Sequence, residues 1–330
     1  MNKRRGSVLV VVMWSLFFLA ILAMAINSYI WPQLELSGRL LGNVKMYYLA
    51  CAGVERAILE IQNDTTGKYD SLQDSWSTGD EAFNNVPLGQ GSFSVIKRAP
   101  LSGAAQQYGL TDEESRISIN KASHDVLKNL LVEAGGVATV DAEAIADSII
   151  DWRDPDDSLG KNGKESGYYE YLGEPYPCKN GDFEAPEELL QVGGMTRDIF
   201  DKIKDYITIY GTGTVNINTA GFMVLVALGM DKSLADKIVA FREQESSGEN
   251  KDTPGNIFTD ASQVTEALNK AVGLSGGEIS QLTRAAGMLG VESDNFRGTA
   301  LGSLGRESRS RKITFVYARE DRLIKYWREE

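Results

Sequence analysis

From Ser7 to Leu34 the chain carries no Asp, Glu, Lys, Arg or His. Within this run, Val8 to Ile26 is built mostly of Leu, Val, Ile, Phe and Met, with Trp14 inside it. About 20 apolar residues in a helix cross the ~30 Å hydrocarbon core of a bilayer. Lys3, Arg4 and Arg5 stand immediately before the run. A basic flank is held on the cytoplasmic side, so the rest of the chain is expected across the membrane. The rest is of a different kind. Across 330 residues the hydrophobic share is 42%, mean hydropathy is −0.23 and formal net charge is −12. Those values exclude a multi-span membrane protein and wholesale disorder. The acidity also argues against non-specific nucleic-acid binding, which needs clustered Lys and Arg.

The N-terminus reads in three ways. A cleaved secretory signal has a shorter apolar core followed by a small-residue cleavage site; this core is longer, and no small-x-small site at its end is convincing. A plain signal anchor fits the hydropathy. A short basic leader ending in Gly6, directly before the apolar run, resembles the type IV prepilin class of signal. There a membrane peptidase cuts after the Gly and the helix is kept. Beyond the run, Leu34, Leu36, Leu40, Leu41, Val44, Tyr47 and Tyr48 recur at near-helical spacing among Glu35, Arg39 and Lys45. Val54, Ala57, Ile58 and Ile61 continue the pattern. The spacing predicts one long half-polar helix leaving the membrane, with a bend near Pro32.

Counting from Ser7, the fifth residue is Val11. In the type IV pilin family that position is nearly always Glu. A carboxylate within hydrocarbon costs about 2.5–3.5 kcal/mol or more unless paired. In pilins its partner is taken to be the N-terminal ammonium of the next subunit up the filament. A subunit at the tip has none above it, which makes Val the better residue there.

The polar stretch Asn63 to Asn85 reads as loop. Gly91 to Arg98, Ser115 to Asn120 and Arg311 to Arg319 read as strands. Arg322 to Trp327 would close a hairpin through Glu320-Asp321. Gly287 to Val291 and Phe296 to Leu304 are further candidate strands. Between Ala122 and Ala286 the pattern is mostly helical and contains a faint repeat. Ile117-Ser-Ile-Asn120-Lys-Ala122 precedes Val126, Leu127, Leu130 and Leu131, and Val215-Asn-Ile-Asn218-Thr-Ala220 precedes Val224, Leu225 and Leu228. A third unit, Ala185 to Met195, leads to Ile199, Ile203 and Ile207 at helical spacing. These resemble helix-hairpin-helix units, with Gly193-Gly194-Met195 and Gly229-Met230 at the turns. In DNA-binding versions such turns offer backbone N–H groups to phosphate. The mixed charges here favour a packing unit.

The densest chemistry lies in Asp151-Trp-Arg-Asp154-Pro-Asp156-Asp157 and the following turn to Asn162 and Glu165. Closely spaced oxygen donors suit Ca²⁺, which takes 6–8 oxygens, although the spacing is not that of an EF-hand. A solvated acidic loop is the alternative; downstream, Tyr168-Tyr-Glu170-Tyr171 and Asp182-Phe-Glu184 could return more ligands. No Gly-rich phosphate cradle accompanies the segment, which disfavours a Mg²⁺ phosphoryl-transfer site. The lone His124, in Ser123-His-Asp125, reads as a helix start rather than a triad. Cys51 and Cys178 read as separate thiols, though a periplasmic setting would allow a disulfide.

The order of parts is more specific than any one of them. It comprises the Gly-ended leader, Val11, Ala52-Gly-Val-Glu-Arg-Ala57, Arg116-Ile-Ser-Ile-Asn-Lys-Ala and Ile150-Asp-Trp-Arg-Asp-Pro-Asp-Asp157. Asn180-Gly-Asp-Phe, Glu187-Glu-Leu-Leu and Val215-Asn-Ile-Asn-Thr-Ala220 follow. This closely resembles the minor pseudopilin K family of type II secretion systems, across nearly the whole chain. The resemblance implies an α+β, type IV pilin-like fold with a large α-helical domain inserted between strands of its sheet. The expected division is a leader at 1–6, a helix at 7–62 spanning the membrane at about 8–30, a pilin-like domain at 63–120 and 287–330, and an insert at 121–286. The resemblance further implies cleavage between Gly6 and Ser7 and N-methylation of Ser7 by the prepilin peptidase. It implies assembly with minor pseudopilins I and J, other pseudopilins and the inner-membrane secretion platform, with the head in the periplasm and no enzymatic activity. It carries Ca²⁺ in the inserted domain, assigned to Asp151, Asp154, Asp156, Asp157 and Glu165. Two rivals of other classes remain: a signal-anchored periplasmic metal-dependent enzyme, and a DNA-uptake protein using its helical hairpins.

Overall fold

The computed structural model describes residues 5–97, 106–243, 256–305 and 309–330. Lys3 and Arg4 of the leader and Arg98 of the second strand lie outside them. The chain opens with α1 (Arg5–Gln62), followed by two one-turn helices, α2 (Ser75–Thr78) and α3 (Asp80–Phe83). Strands β1 (Val86–Leu88), β2 (Gly91–Ile96), β3 (Thr111–Asp112) and β4 (Ile117–Ser118) come next. The helical region then contains α4 (His124–Glu133), α5 (Thr139–Arg153), α6 (Ser166–Glu170) and α7 (Arg197–Ile203). After β5 (Ile207–Thr208) and β6 (Val215–Asn216) come α8 (Phe222–Ala227), α9 (Lys232–Glu243), α10 (Val264–Val272) and α11 (Gly276–Ala285). The chain ends with β7 (Leu289–Gly290), β8 (Asn295–Leu304), β9 (Ser310–Ala318) and β10 (Leu323–Glu329).

Helix α1 runs through Pro32 without a break in helical assignment. Its N-terminal part is long and apolar enough to cross a membrane, and its large apolar side chains from Val8 to Leu41 are exposed. Its C-terminal part is a different surface. Met46, Leu49, Ala50, Val54, Ala57 and Ile61 recur every three or four residues and are buried. This stripe lies on an antiparallel sheet of order β1-β2-β8-β9-β10, with β3 paired to the start of β8. The approach is close because β8 offers small residues. A Cβ on Gly302 would lie 2.0 Å from the Met46 carbonyl oxygen, and one on Gly53 would lie 3.1 Å from Ala300 Cβ.

Three expectations are corrected. The stretch Asn63 to Asn85 is not all loop. It holds α2 and α3, whose Trp76 and Phe83 are fully buried beside α1 and the sheet. Two isolated aromatics in a polar run carry no periodicity, yet burying each removes a large apolar surface from water. Second, the strand read in Ser115 to Asn120 is only β4, and the one in Gly287 to Val291 is only β7. Each forms a two-residue parallel pair within the helical region, β4 with β5 and β6 with β7. Ile117, Ile119, Leu289 and Val291 accordingly belong to the helical core, a few residues outside 121–286. Third, α7 stops at Ile203, and Ile207 sits in β5. The hairpin of β9 and β10 forms as expected, with a register shift between Ile324 and Tyr326 and Arg322 at φ 54° in the turn. The whole is an α+β, pilin-like arrangement of long helix, antiparallel sheet and helical insert. Cys51 packs against the sheet core and Cys178 lies in the helical core.

The insert and the sheet are joined by buried polar groups. Asp112 Oδ2 accepts from Asn216 Nδ2 (3.1 Å), Thr219 Oγ1 (2.5 Å) and Ser293 Oγ (2.7 Å). Glu114 accepts from the backbone and side-chain amides of Asn295. Glu113 accepts from Arg297 Nε at 2.7 Å and from the Thr208 hydroxyl.

Candidate metal centre

The first helical hairpin sets the stage. The Ser123 hydroxyl accepts from the Val126 N–H, capping α4, and His124 Nε2 lies 3.2 Å from Asp147 on α5. The triad-like string is therefore a cap plus a helix-to-helix contact. Asp151 lies in the last turn of α5 and Asp154 follows its end. The chain then folds back over α5. The Gly160 N–H donates to both Asp151 oxygens at 3.2 Å, and the Asn162 N–H donates to Asp147 at 3.1 Å. Gly163 crosses so near that a Cβ there would lie 1.8 Å from Asp151 Oδ2. Glu165 is thereby carried inward and stands at the N-terminus of α6.

This path brings Asp151, Asp154 and Glu165 together, with one oxygen from each lying within 4.8 Å of the others. Glu165 is only 6% exposed, and neither of its oxygens has a hydrogen-bond partner among the described residues. Asp154 Oδ1 and Asn180 Oδ1 are also buried without partners. Burial, reinforced by Asp151, Asp154 and Asp157, pushes the Glu165 carboxyl up to about 7. Burial also raises Asp151 and Asp154. Buried acceptors without donors are costly, and a set of them facing one another is what a hard cation satisfies. These residues fit Ca²⁺.

The other two assigned residues lie elsewhere in the loop. Asp156 is exposed and bonds the Ser158 N–H at 2.8 Å, with Ser158 holding its carboxyl below the usual range. Asp157 accepts from Ser166 Oγ (2.8 Å) and Asn180 Nδ2 (3.2 Å), so it holds a neighbour of the cluster in place. Asn180 Oδ1 is a further buried acceptor without a partner among the described residues, on a side chain tied to the loop through Asp157. Its only sequence signal was membership of the Asn-Gly-Asp-Phe segment. Asp182 faces Lys121 at 4.0 Å. Trp152, Tyr169 and Tyr176 pack together at 5.1–6.2 Å between centroids, Trp152 meeting both tyrosines edge to face.

A second acidic group, Asp64, Asp70 and Asp74, is already satisfied. Arg319 contacts Asp70 at 2.5 Å and Asp64 at 3.5 Å, and Asp74 accepts the Ser71 N–H. The hairpin turns use their amides internally. The Gly193 N–H donates to Tyr169 Oη at 3.1 Å, and the Gly229 N–H donates to the Val226 carbonyl at 2.9 Å. Neither is free to bind a phosphate.

A membrane-length helix laid along an antiparallel sheet, with a helical insert between strands, defines a pilin-like protein. Within that class the chain is similar to protein K of the type II secretion system. Residues 102–212 match the family model described as "Type II secretion system (T2SS), protein K". The chain is 24% identical, over 98% of its own length and 96% of the relative's, to the type II secretion system protein K of Aeromonas hydrophila. Its fold matches a chain in the crystal structure of the GspK-GspI-GspJ complex from enterotoxigenic Escherichia coli. The TM-score is 0.60 at 18% identity, covering 90% of this chain and 96% of that one.

Proposed function

We propose that the protein is a non-enzymatic minor pseudopilin at the tip of the pseudopilus, where it helps start assembly and so serves export across the outer membrane. The observation that carries this reading is the stem. The exposed side chains of α1 from Val8 to Leu34 include no carboxylate, and Val11 stands where a subunit inside a filament needs one. Such a helix packs against partner helices beside and below it without requiring an ammonium above. Partners of the kind in the solved complex, minor pseudopilins I and J, fit that role. The head then lies in the periplasm, with the stem in the inner membrane after cleavage between Gly6 and Ser7 and methylation of Ser7.

Two measurements test this. Mass spectrometry of the mature chain should find a methylated Ser7 as the first residue; an intact leader contradicts the processing. Val11→Glu should weaken co-purification with I and J and reduce secretion. Unchanged complex and secretion would show that the position carries no tip information.

We further propose that the head binds Ca²⁺ through Asp151, Asp154, Glu165 and Asn180. The unpartnered Glu165 oxygens support this, and the ion would offset the loop's negative charge. Calorimetric titration with CaCl₂ tests it, and the absence of any heat or melting shift contradicts it.

A further inference from the structure

The two main helical hairpins are framed by the same pair of side chains, and only one of these frames encloses the acidic loop. In the first hairpin, Asn120 brackets the backbone of Phe183. It accepts the Phe183 N–H at 2.8 Å and donates to the Phe183 carbonyl at 3.0 Å. In the second, Asn218 does the same to Phe258, at 2.9 and 2.8 Å. Arg153 donates to the carbonyls of Ile119 and Ala122, the latter at 2.6 Å. Arg242 donates to those of Ile217 (2.5 Å) and Ala220 (2.7 Å). Each arginine lies at or next to the C-terminal end of the hairpin's second helix, where a cation also suits the helix dipole. Each guanidinium ties that end to the turn between the short strand and the first helix. The fork geometry that spans two carbonyls is particular to arginine.

The frame therefore fixes the two points between which a loop leaves and returns. In the first hairpin these points flank the oxygen cluster. Arg153 stands between Asp151 and Asp154, and Phe183 follows Asn180 by three positions. We propose that Asn120 and Arg153 are positioning residues for the cation site. They hold its donors in register before an ion arrives, while Asn218 and Arg242 frame the second hairpin without bearing on the site. This rests on the Ca²⁺ reading above. A flexible loop must lose conformational freedom when it closes on an ion, and pre-fixed ends remove part of that cost.

The duplication supplies its own control. Arg153→Lys and Asn120→Ser are compared with the matched changes Arg242→Lys and Asn218→Ser in the full chain in detergent, by calorimetric titration with CaCl₂ and by melting in EGTA. All four should lower the melting temperature in EGTA, since each removes buried hydrogen bonds. Only the first pair should weaken Ca²⁺ binding, roughly tenfold or more. Either Arg153→Lys or Asn120→Ser suffices if the other does not fold. First-pair affinity equal to wild type, or an equal loss in the second pair, overturns the positioning role while leaving the site intact. A wild-type chain that takes up no Ca²⁺ overturns the site and its positioning together.

Discussion

Asn216, at the end of β6 in the helical insert, donates its side-chain amide to Asp112 Oδ2 at 3.1 Å and to the Asp70 carbonyl at the same distance. Asp112 closes β3 of the main sheet, and Asp70 follows α1. One amide thus ties three parts of the chain together, and Ser293 Oγ, at 2.8 Å, adds a fourth. Asn216→Ala leaves these buried acceptors short of a donor. We expect a loss of about 1–3 kcal/mol in unfolding free energy, read by urea denaturation of the full chain in detergent. An unchanged midpoint would mean that the junction is held by apolar contact alone.

The same junction makes stability depend on pH. Burial, and then the charge of Asp112, push Glu114 from its ordinary 4.5 up to about 8, and burial also raises Asp112. A raised carboxyl binds its proton in the folded chain at a pH where the unfolded chain has lost it. The stabilisation is therefore full below the ordinary value and is lost as pH rises towards 8. Glu114→Gln removes the titration and the negative charge beside Asp112, while one of the two acceptors for Asn295 remains. The melting temperature of the wild type should fall between about pH 5 and 8, and that of the variant should fall less over the same range. These endpoints lie roughly within the window set by the two values. Parallel declines would assign the effect to other groups.

Glu165→Gln should have opposite effects with and without calcium. Without the ion, the substitution removes the cost of burying a carboxylate charge, and then the repulsion from Asp151, Asp154 and Asp157, and raises stability at pH 8 by on the order of 1 kcal/mol. With the ion, it removes a charged ligand and abolishes the Ca²⁺-dependent rise in melting temperature. A variant less stable than wild type in EGTA would contradict the picture of an unsatisfied buried carboxylate.

Gly302→Val should undock α1 from the sheet. The added side chain meets the Met46 carbonyl and the Ala50 amide, both helix backbone that has no rotamer to change. A cost of about 1–3 kcal/mol or more is expected, with faster hydrogen exchange along Met46 to Ile61. Unaltered exchange there would show that the helix yields.

The stem was legible because its information is local. A run without charges states its own environment, and Val54, Ala57 and Ile61 state the helical period, whereas Met46 and Leu49 were missed and Leu40, Leu41, Val44 and Tyr48, read into the same stripe, are exposed. The β9–β10 hairpin was readable from β-branched and aromatic residues on either side of a polar turn. The paired Asn-Ile-Asn and Ser-Ile-Asn segments showed that two hairpins existed. They did not show that Asn120 and Asn218 reach Phe183 and Phe258, because those contacts form between segments far apart in the chain. The same reason hid the places of Trp76 and Phe83 and the pairing of β6 with β7. At the candidate site, the density of oxygen donors was visible in the sequence. Which donors converge was set by the fold of the loop over Asp151, which turns Glu165 inward and leaves Asp156 in solvent.

The close contact between Gly302 and Met46 has a mechanical consequence. Successive residues of a helix are about 100° apart in azimuth. If α1 rotated or slid by one residue against the sheet, it would press a different side chain into a gap that admits only backbone. The contact therefore works as a keyway. Because α1 is a single helix from the stem to the sheet, the facing of its apolar end determines the facing of the head. Partner helices that grip the stem in one orientation thereby aim the acidic loop and the helical insert in one direction.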